Sequence, residues 1–314
     1  MRKNNKILLS GSSGFIGTHL YKRLDNLGYQ IFGLDIKESE TFDIRKKDYL
    51  DDIIFPSFKP DIIIHLAALT NVRESVENPH GHIDTNIKGT LNLLELSKKY
   101  KVQKFLVASS SAVYGDQPCP LKEDMNCDNP LSPYALSKIG VELVCKLFSA
   151  DIPITIFRPF TVYGENGREN QVISKLINAG INRTVFEKYG DGTSTRGYVN
   201  VNDLVDGIIV LIDYKPKDNL EIFNLGGSQI ICLNDLIDIV KKEFIGLRVK
   251  QIGRNPADTY QSYADIGKAK QAFGWEPKRD FEAEVIGLCR RAKVEFNKKV
   301  ARKKYLRAWN ALKK

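Results

Sequence analysis

Sulfur and histidine are scarce in this 314-residue chain, and no apolar run reaches the ~20 residues that a membrane helix needs. The five cysteines, at 119, 127, 145, 232 and 289, are odd in number, scattered, and free of any C-x-x-C spacing. That excludes a disulfide framework and a zinc ribbon, and it fits a reducing, cytoplasmic setting. Of the four histidines, His80 and His82 flank Gly81, a pair without further ligands. Both read as solvated loop residues, and no metal is expected. The N-terminus is basic, but Gly11 and the neighbouring serines cut its apolar run short, so no secretory signal is read there. Acidic residues all but vanish from 285–314, which holds eleven Lys/Arg and one acid and accounts for the net charge of +9. Basicity therefore belongs to the tail and not to a face of the body, and nucleic acid is not expected as a partner.

The informative content begins at residue 6. Ile7, Leu8 and Leu9 form a short apolar run, as in a strand buried on both faces. Gly11, Gly14 and Gly17 follow in a G-x-x-G-x-x-G spacing, and Ile16, Leu20, Leu24 and Leu27 then recur at helical period until Gly28. Strand, glycine turn and helix in that order let backbone N–H groups approach a pyrophosphate at the positive end of the helix. Tyr29 to Leu34 reads as a second strand, with Asp35 at its end. A carboxylate there accepts hydrogen bonds from the adenosine ribose and repels a 2′-phosphate; with Ile36 next, NAD is expected as the cofactor.

Strand patterns at Asp61–Leu66, Lys104–Ser109 and Ile154–Arg158 alternate with helical patterns near 80–100 and 133–149. Such alternation implies βαβ units and an α/β fold, a Rossmann-type doubly wound parallel sheet, with a smaller C-terminal substrate-binding lobe. The expected organisation is an NAD-binding domain over 1–165 with a returning segment near 198–226, a substrate lobe over 166–285, and a basic helical tail over 286–314. Ser132-Pro133-Tyr134 looks like a helix start, with Ser132 as N-cap and Pro133 at the first helical position. Tyr134 and Lys138 then share one face, a turn apart. A phenol working as a base near neutrality needs its pKa lowered by roughly three units, about 4 kcal/mol, and an adjacent ammonium favours the phenolate. Ser109-Ser110-Ser111 closes a strand nearby and offers a hydroxyl to the same substrate oxygen.

These stretches, together with Asp43-Ile44-Arg45, His65-Leu66-Ala67-Ala68, Asn86 with Gly89-Thr90, Val113-Tyr114-Gly115, and Arg158-Pro159 before Val162-Tyr163-Gly164, resemble the extended short-chain dehydrogenase/reductases, in particular their NAD-dependent nucleotide-sugar epimerases. Tyr263-Ala264-Asp265 and Gly274-Trp275-Glu276-Pro277 extend the resemblance over nearly the whole chain. It implies a catalytic set of Ser110, Tyr134 and Lys138. Beside Tyr134 and Lys138, the cofactor would be held by Gly11, Gly14, Phe15, Ile16, Gly17, Asp35, Asp43, Ile44, Leu66, Ala67, Ala68, Asn86 and Phe160. The nucleotide sugar would meet Ser110, Ser111, Thr161, Asn170, Tyr189, Arg196, Arg254 and Ser262. Two departures stand out: Gly197 follows Arg196 where an Asp is usual, and Asn255 takes the place of an Arg after Arg254.

Sugar dehydratases of this branch carry an acidic pair directly after the catalytic hydroxyl; here those positions are Ser111 and Ala112. Oxidation and re-reduction on one bound sugar remain, which is epimerisation at C4′ through a 4-keto intermediate. Ser262, counted from Asp258, falls where the family gates the C2′ substituent. Its small side chain puts UDP-GlcNAc/UDP-GalNAc first among substrates, with UDP-Glc/UDP-Gal beside them. UDP-glucuronate 4-epimerisation, an NDP-4-keto-sugar reductase and a catalytically silent NAD-binding sensor or scaffold are the alternatives. The resemblance also implies a homodimer through the helices near 80–100 and 133–149, where Leu91, Leu94, Val141, Leu143 and Val144 supply apolar positions. In the tail Cys289, Ala292, Phe296 and Val300 form a stripe continued with a shift by Tyr305, Trp309 and Leu312. No stable membrane insertion is expected, and peripheral contact with a membrane surface through this basic tail is kept as an alternative to packing on its own subunit.

Overall fold

The apolar runs become the central sheet. The computed structural model describes residues 5–254 and 259–312, with 303–312 by backbone alone. Strands β1 (Lys6–Ser10), β2 (Gln30–Leu34), β3 (Ile62–His65), β4 (Lys104–Ala108) and β5 (Ile154–Pro159) are joined by Leu220–Leu225. All pair in parallel, in the order β2-β1-β3-β4-β5 and then Leu220–Leu225. Successive side chains of β1 point to opposite faces, and both faces are covered. Ile7 and Leu9 pack with Leu20, Leu24, Leu204 and Ile208 on one side, Leu8 with Leu93 and Val141 on the other. This is why the strands read as continuous apolar runs instead of alternating ones. The order reverses at β1, whose neighbours β2 and β3 follow it in sequence on either side. The crevice beyond the carboxyl end of β1 is therefore the expected ligand position.

Two compact units divide the chain. The first comprises 1–162, 196–230 and 256–278, so the chain returns to it twice. The helix Val201–Asp213 and strand Leu220–Leu225 come with the first return. The second return brings the short strand Gln261–Ser262 beside the strand Thr195–Asn200. Gly197 explains its own departure from the family pattern: a Cβ there would lie 2.9 Å from that of Tyr263, so the close approach of these strands leaves no room for an aspartate.

The second unit comprises 163–195, 231–255 and 279–314. Its helices Val172–Asn182, Leu233–Glu243 and Phe281–Leu312 pack on one another. Strands Val185–Tyr189 and Arg248–Ile252 pair in parallel. The basic tail belongs to one continuous helix beginning at Phe281. Its first turns are buried through Val285, Leu288 and Cys289, and Glu243 grips Arg290 Nε and Lys293 Nζ at 2.8 Å each. From Val294 the stripe opens to solvent, with Phe296 and Val300 exposed; the side chains of Tyr305, Trp309 and Leu312 lie outside the described residues. No helix of the described residues is long and apolar enough to cross a membrane.

Candidate active site

At the carboxyl end of β1 the chain turns at Gly11, whose φ is +75° and whose position a Cβ could not share with the Ala67 amide 2.6 Å away. A methyl group on Gly17 would overlap the Gly11 carbonyl oxygen, so this glycine lets the following helix α1 (Phe15–Asn26) sit against the turn. Gly14 is the N-cap of α1 and gives it no side-chain hydrogen bond, and no acid occupies the first turn. The first N–H groups of α1 are left for an anion, which is what a dinucleotide pyrophosphate needs.

Asp35 follows β2, and each carboxylate oxygen accepts one backbone bond, Oδ2 from Ser13 N at 3.0 Å and Oδ1 from Lys37 N at 2.9 Å. Lone pairs remain on both for ribose hydroxyls. The Lys37 ammonium donates to Ser13 O at 3.3 Å. These residues fit NAD. Asp43 is buried, and the Arg45 guanidinium bonded to it at 2.6 Å holds its carboxyl below the usual range against the opposing effect of burial. Ile44 packs under Gly89, and its carbonyl accepts from Asn92 Nδ2 at 2.9 Å.

The lip opposite α1 is the half-buried segment Leu66, Ala67 and Ala68 after β3. Leu66 N donates to Ser10 O at 3.0 Å, and Asn86 clamps the next residue, accepting from Leu69 N at 2.8 Å and donating to Leu69 O at 2.9 Å. Asn86 Nδ2 also reaches Ser137 Oγ at 2.8 Å, tying this lip to the helix Pro133–Phe148. Beneath the turn, His65 bridges Ser10 Oγ at 2.6 Å and Thr90 Oγ1 at 2.9 Å. Burial, with Lys138 nearby, pushes its pKa down to about 3, so it is neutral.

The helix Pro133–Phe148 begins as its sequence indicates, Ser132 Oγ accepting from Ala135 N at 3.1 Å with Pro133 in the first turn. Tyr134 and Lys138 lie on its buried side. The Lys138 ammonium donates to Ala108 O at 2.8 Å, the last residue of β4, and burial lowers its pKa to about 8 while Cys145 and Glu142 pull it back up. Ser110 caps the turn Ser111–Tyr114 through Oγ, which accepts from Ala112 N at 3.1 Å. Its hydroxyl hydrogen is thereby left to donate toward a substrate oxygen. A hydroxyl donor at the carboxyl end of β4, an ammonium bonded to the last carbonyl of that strand, and a phenol in the first turn of the adjoining helix are together an arrangement suited to moving one proton.

A polar network supports these groups from below, and sequence reasoning missed it. Glu142, one turn beyond Lys138, accepts from Ser109 Oγ at 2.5 Å and from Arg158 Nε and Nη2 at 2.8 and 2.7 Å. Arg158 Nη1 donates to Tyr114 Oη at 2.8 Å, and that hydroxyl donates to Asn224 Oδ1 at 2.6 Å. The available signal was a polar set, Glu142, Arg158 and Asn224, on otherwise apolar helix and strand faces. His82 is the clear correction: it is fully buried beside the Tyr134 ring, not a solvated loop residue, because its turn is pressed onto the helix Pro133–Phe148.

The other expected substrate residues divide between the units. In the first, Arg196 donates to Thr259 O at 2.7 Å and Tyr260 O at 3.2 Å, so it pins the chain just before Ser262. Ser262 is 9% exposed, whereas Tyr260 is 40% exposed. Thr161 and Ser111 are half-buried, and the Phe160 ring is buried with Val113, Tyr114 and Leu121 while its backbone N–H donates to Leu225 O at 3.2 Å. In the second unit, Tyr189 ends its strand opposite Ile252, and Gly190 N donates to Ile252 O at 3.0 Å. Tyr189 and Arg254 therefore share one end of the two-stranded sheet, with Asn170 exposed in the loop before Val172. Asn255 and Asp258, the remainder of the expected phosphate loop, lie outside the described residues.

The NAD dependent epimerase/dehydratase family matches residues 7–226. The chain is 36% identical over 301 residues to a UDP-glucuronate 4-epimerase of Thermodesulfobacterium geofontis, covering 88% of this chain and 92% of that protein. It is 38% identical over 300 residues to a putative UDP-glucose 4-epimerase of Methanocaldococcus jannaschii, covering 89% and 95%. Among solved structures, the UDP-glucose 4-epimerase of Thermotoga maritima with UDP-glucose superposes with a TM-score of 0.84 at 28% identity, covering 94% of this chain and 99% of that one.

Proposed function

The chain belongs to the NAD dependent epimerase/dehydratase family, and we propose that it acts there on UDP-sugars whose C2′ hydroxyl is unsubstituted. It is an NAD-dependent UDP-sugar 4-epimerase. The carrying observation is the group of Ser110, Tyr134 and Lys138 with no acid following Ser110. The carboxylate closest along the catalytic helix, Glu142, is occupied by Arg158 and Ser109. Proton transfer to and from one hydroxyl is supported; elimination of a second hydroxyl is not.

Bound NAD supplies a reversible acceptor for the C4′ hydride. Tyr134 takes the proton of the 4′-hydroxyl as the C4′–H bond breaks, and gives it back when the sugar has turned its other face. Ser110 donates to the same oxygen, and the Lys138 ammonium favours the ionised phenol. The nucleotide stays anchored while the hexose turns, so binding energy remote from C4′ retains the keto sugar.

For the sugar itself, UDP-glucuronate and UDP-glucose come first. The relatives at 36% and 38% identity carry those names, and Ser262, small as it is, lies almost wholly beneath other protein atoms. The second reading, UDP-GlcNAc/UDP-GalNAc, rests on the same small serine. Incubating the protein with each UDP-sugar and reading the products by NMR decides between them. Turnover confined to the unsubstituted sugars supports the first. Equal or faster turnover of the N-acetylated pair, abolished selectively by Ser262→Tyr, supports the second.

We further infer a homodimer through the catalytic helix. Leu136, Leu143 and Leu147 stand exposed along it, with Ile83 exposed on the neighbouring turn. Of the residues expected for that face, Leu94 and Val141 are instead buried within the subunit, and Leu143 is the one left open.

A further inference from the structure

His82 lies fully buried at the end of the short helix Pro79–His82, and neither of its ring nitrogens has a hydrogen-bond partner among the described residues. An unsatisfied buried polar group costs stability, and a ring of similar shape without nitrogens would not incur that cost. What the imidazole touches is the catalytic residue: its ring meets that of Tyr134 edge to face, with centroids 6.1 Å apart and planes at 79°. Four residues on, Asn86 bonds Ser137 at 2.8 Å. The segment 82–86 therefore grips the catalytic helix twice, once at Tyr134 and once a turn beyond it.

We propose that His82 is a positioning residue for Tyr134: its neutral imidazole seats the phenol ring and favours its ionised form during proton transfer. Tyr134 is the group in contact with this ring whose charge changes in each half-reaction, so a ring dipole there acts on catalysis. The proposal rests on the reading of Tyr134 as the base. The groups facing His82 are Glu74 from the helix Val72–Glu77 and Lys138 and Tyr134 from the catalytic helix. Asp84, on the turn that follows, acts instead on Arg45. Burial, reinforced by the Lys138 charge and opposed by Glu74, lowers the pKa of His82, so the imidazole stays neutral at physiological pH.

The test compares wild type with His82→Phe and His82→Gln on whichever UDP-sugar the wild type turns over. Three quantities are read: thermal midpoint, kcat and KM across pH, and the tyrosinate absorbance titration of each, with Tyr134→Phe subtracted. For His82→Phe the expected result is a higher thermal midpoint, unchanged KM, and an acid limb of kcat moved up by about one pH unit, a tenfold loss of ionised phenol at a given pH. The absorbance titration should move by the same amount, and His82→Gln, which keeps an N–H donor, should recover part of the shift. A stabilised His82→Phe with unchanged kcat, pH profile and titration would show that the imidazole merely fills space and would overturn the proposal. Should His82→Phe fail to fold, an unshifted profile and titration in His82→Gln would do the same. A wild type inactive on every UDP-sugar would instead defeat the functional reading, while the titration would still decide the proposal.

Discussion

Replacing His65 by Gln should remove most of the acid sensitivity that this buried imidazole imposes on the fold. His65 titrates at about 3 in the folded chain against an ordinary 6.5, because burial and the Lys138 charge disfavour the imidazolium. A base whose folded pKa is depressed lends its stability in full above the unfolded pKa and loses it as pH falls from there toward the folded one. Between pH 7 and pH 5 the unfolded chain takes up this proton and the folded chain does not. With 1.36 kcal/mol per unit, the unfolded state gains about 2 kcal/mol over that interval. Glutamine can still reach Ser10 or Thr90 and carries no titrating nitrogen, so its own cost is constant with pH. Urea unfolding of both proteins at pH 7 and pH 5 gives four free energies. The wild type should lose about 2 kcal/mol more than the variant on acidification, the contribution of His82 cancelling in the difference. Equal losses would refute the reasoning and place the acid sensitivity in other groups.

Asp35→Ala should narrow the preference for NAD over NADP, measured by calorimetry, since it removes the carboxylate that a 2′-phosphate would meet; an unchanged ratio would count against that role. Tyr134→Phe should lower turnover by several orders of magnitude with substrate affinity nearly intact. Retention of more than about a tenth of the activity, a loss under ~1.4 kcal/mol, would mean that another group moves the proton. Leu143→Glu should convert a dimer into monomers by light scattering at micromolar concentration, and a wild type already monomeric there would reject the proposed interface.

Much of the cofactor half was legible because its determinants are local. The strand, the glycine turn and α1 occupy consecutive residues, and each glycine answers to a backbone contact within a short span, such as Gly17 against Gly11. Ser132 and Pro133 announced their helix for the same reason. What escaped depends on contacts distant in sequence. Glu142, Arg158, Tyr114 and Asn224 meet because two strands, a turn and a helix converge, and no spacing along the chain records that. The second return of the chain, over 259–278, combines a two-residue strand too short for any periodicity with Ala269 and Trp275, whose burial is against residues distant in sequence. His82 looked solvated because polar neighbours and a glycine surround it in sequence, while its environment is set by the helix packed upon it.

The central claim, inversion at C4′ by removal and return of one hydrogen, is tested most directly with a UDP-sugar carrying deuterium at C4′. The protein is incubated with NAD and the labelled sugar in ordinary water, and both epimers are examined by NMR. The account predicts interconversion with the deuterium retained at C4′ in the inverted product. Interconversion with the label lost to solvent, or no inversion of any UDP-sugar, would contradict it.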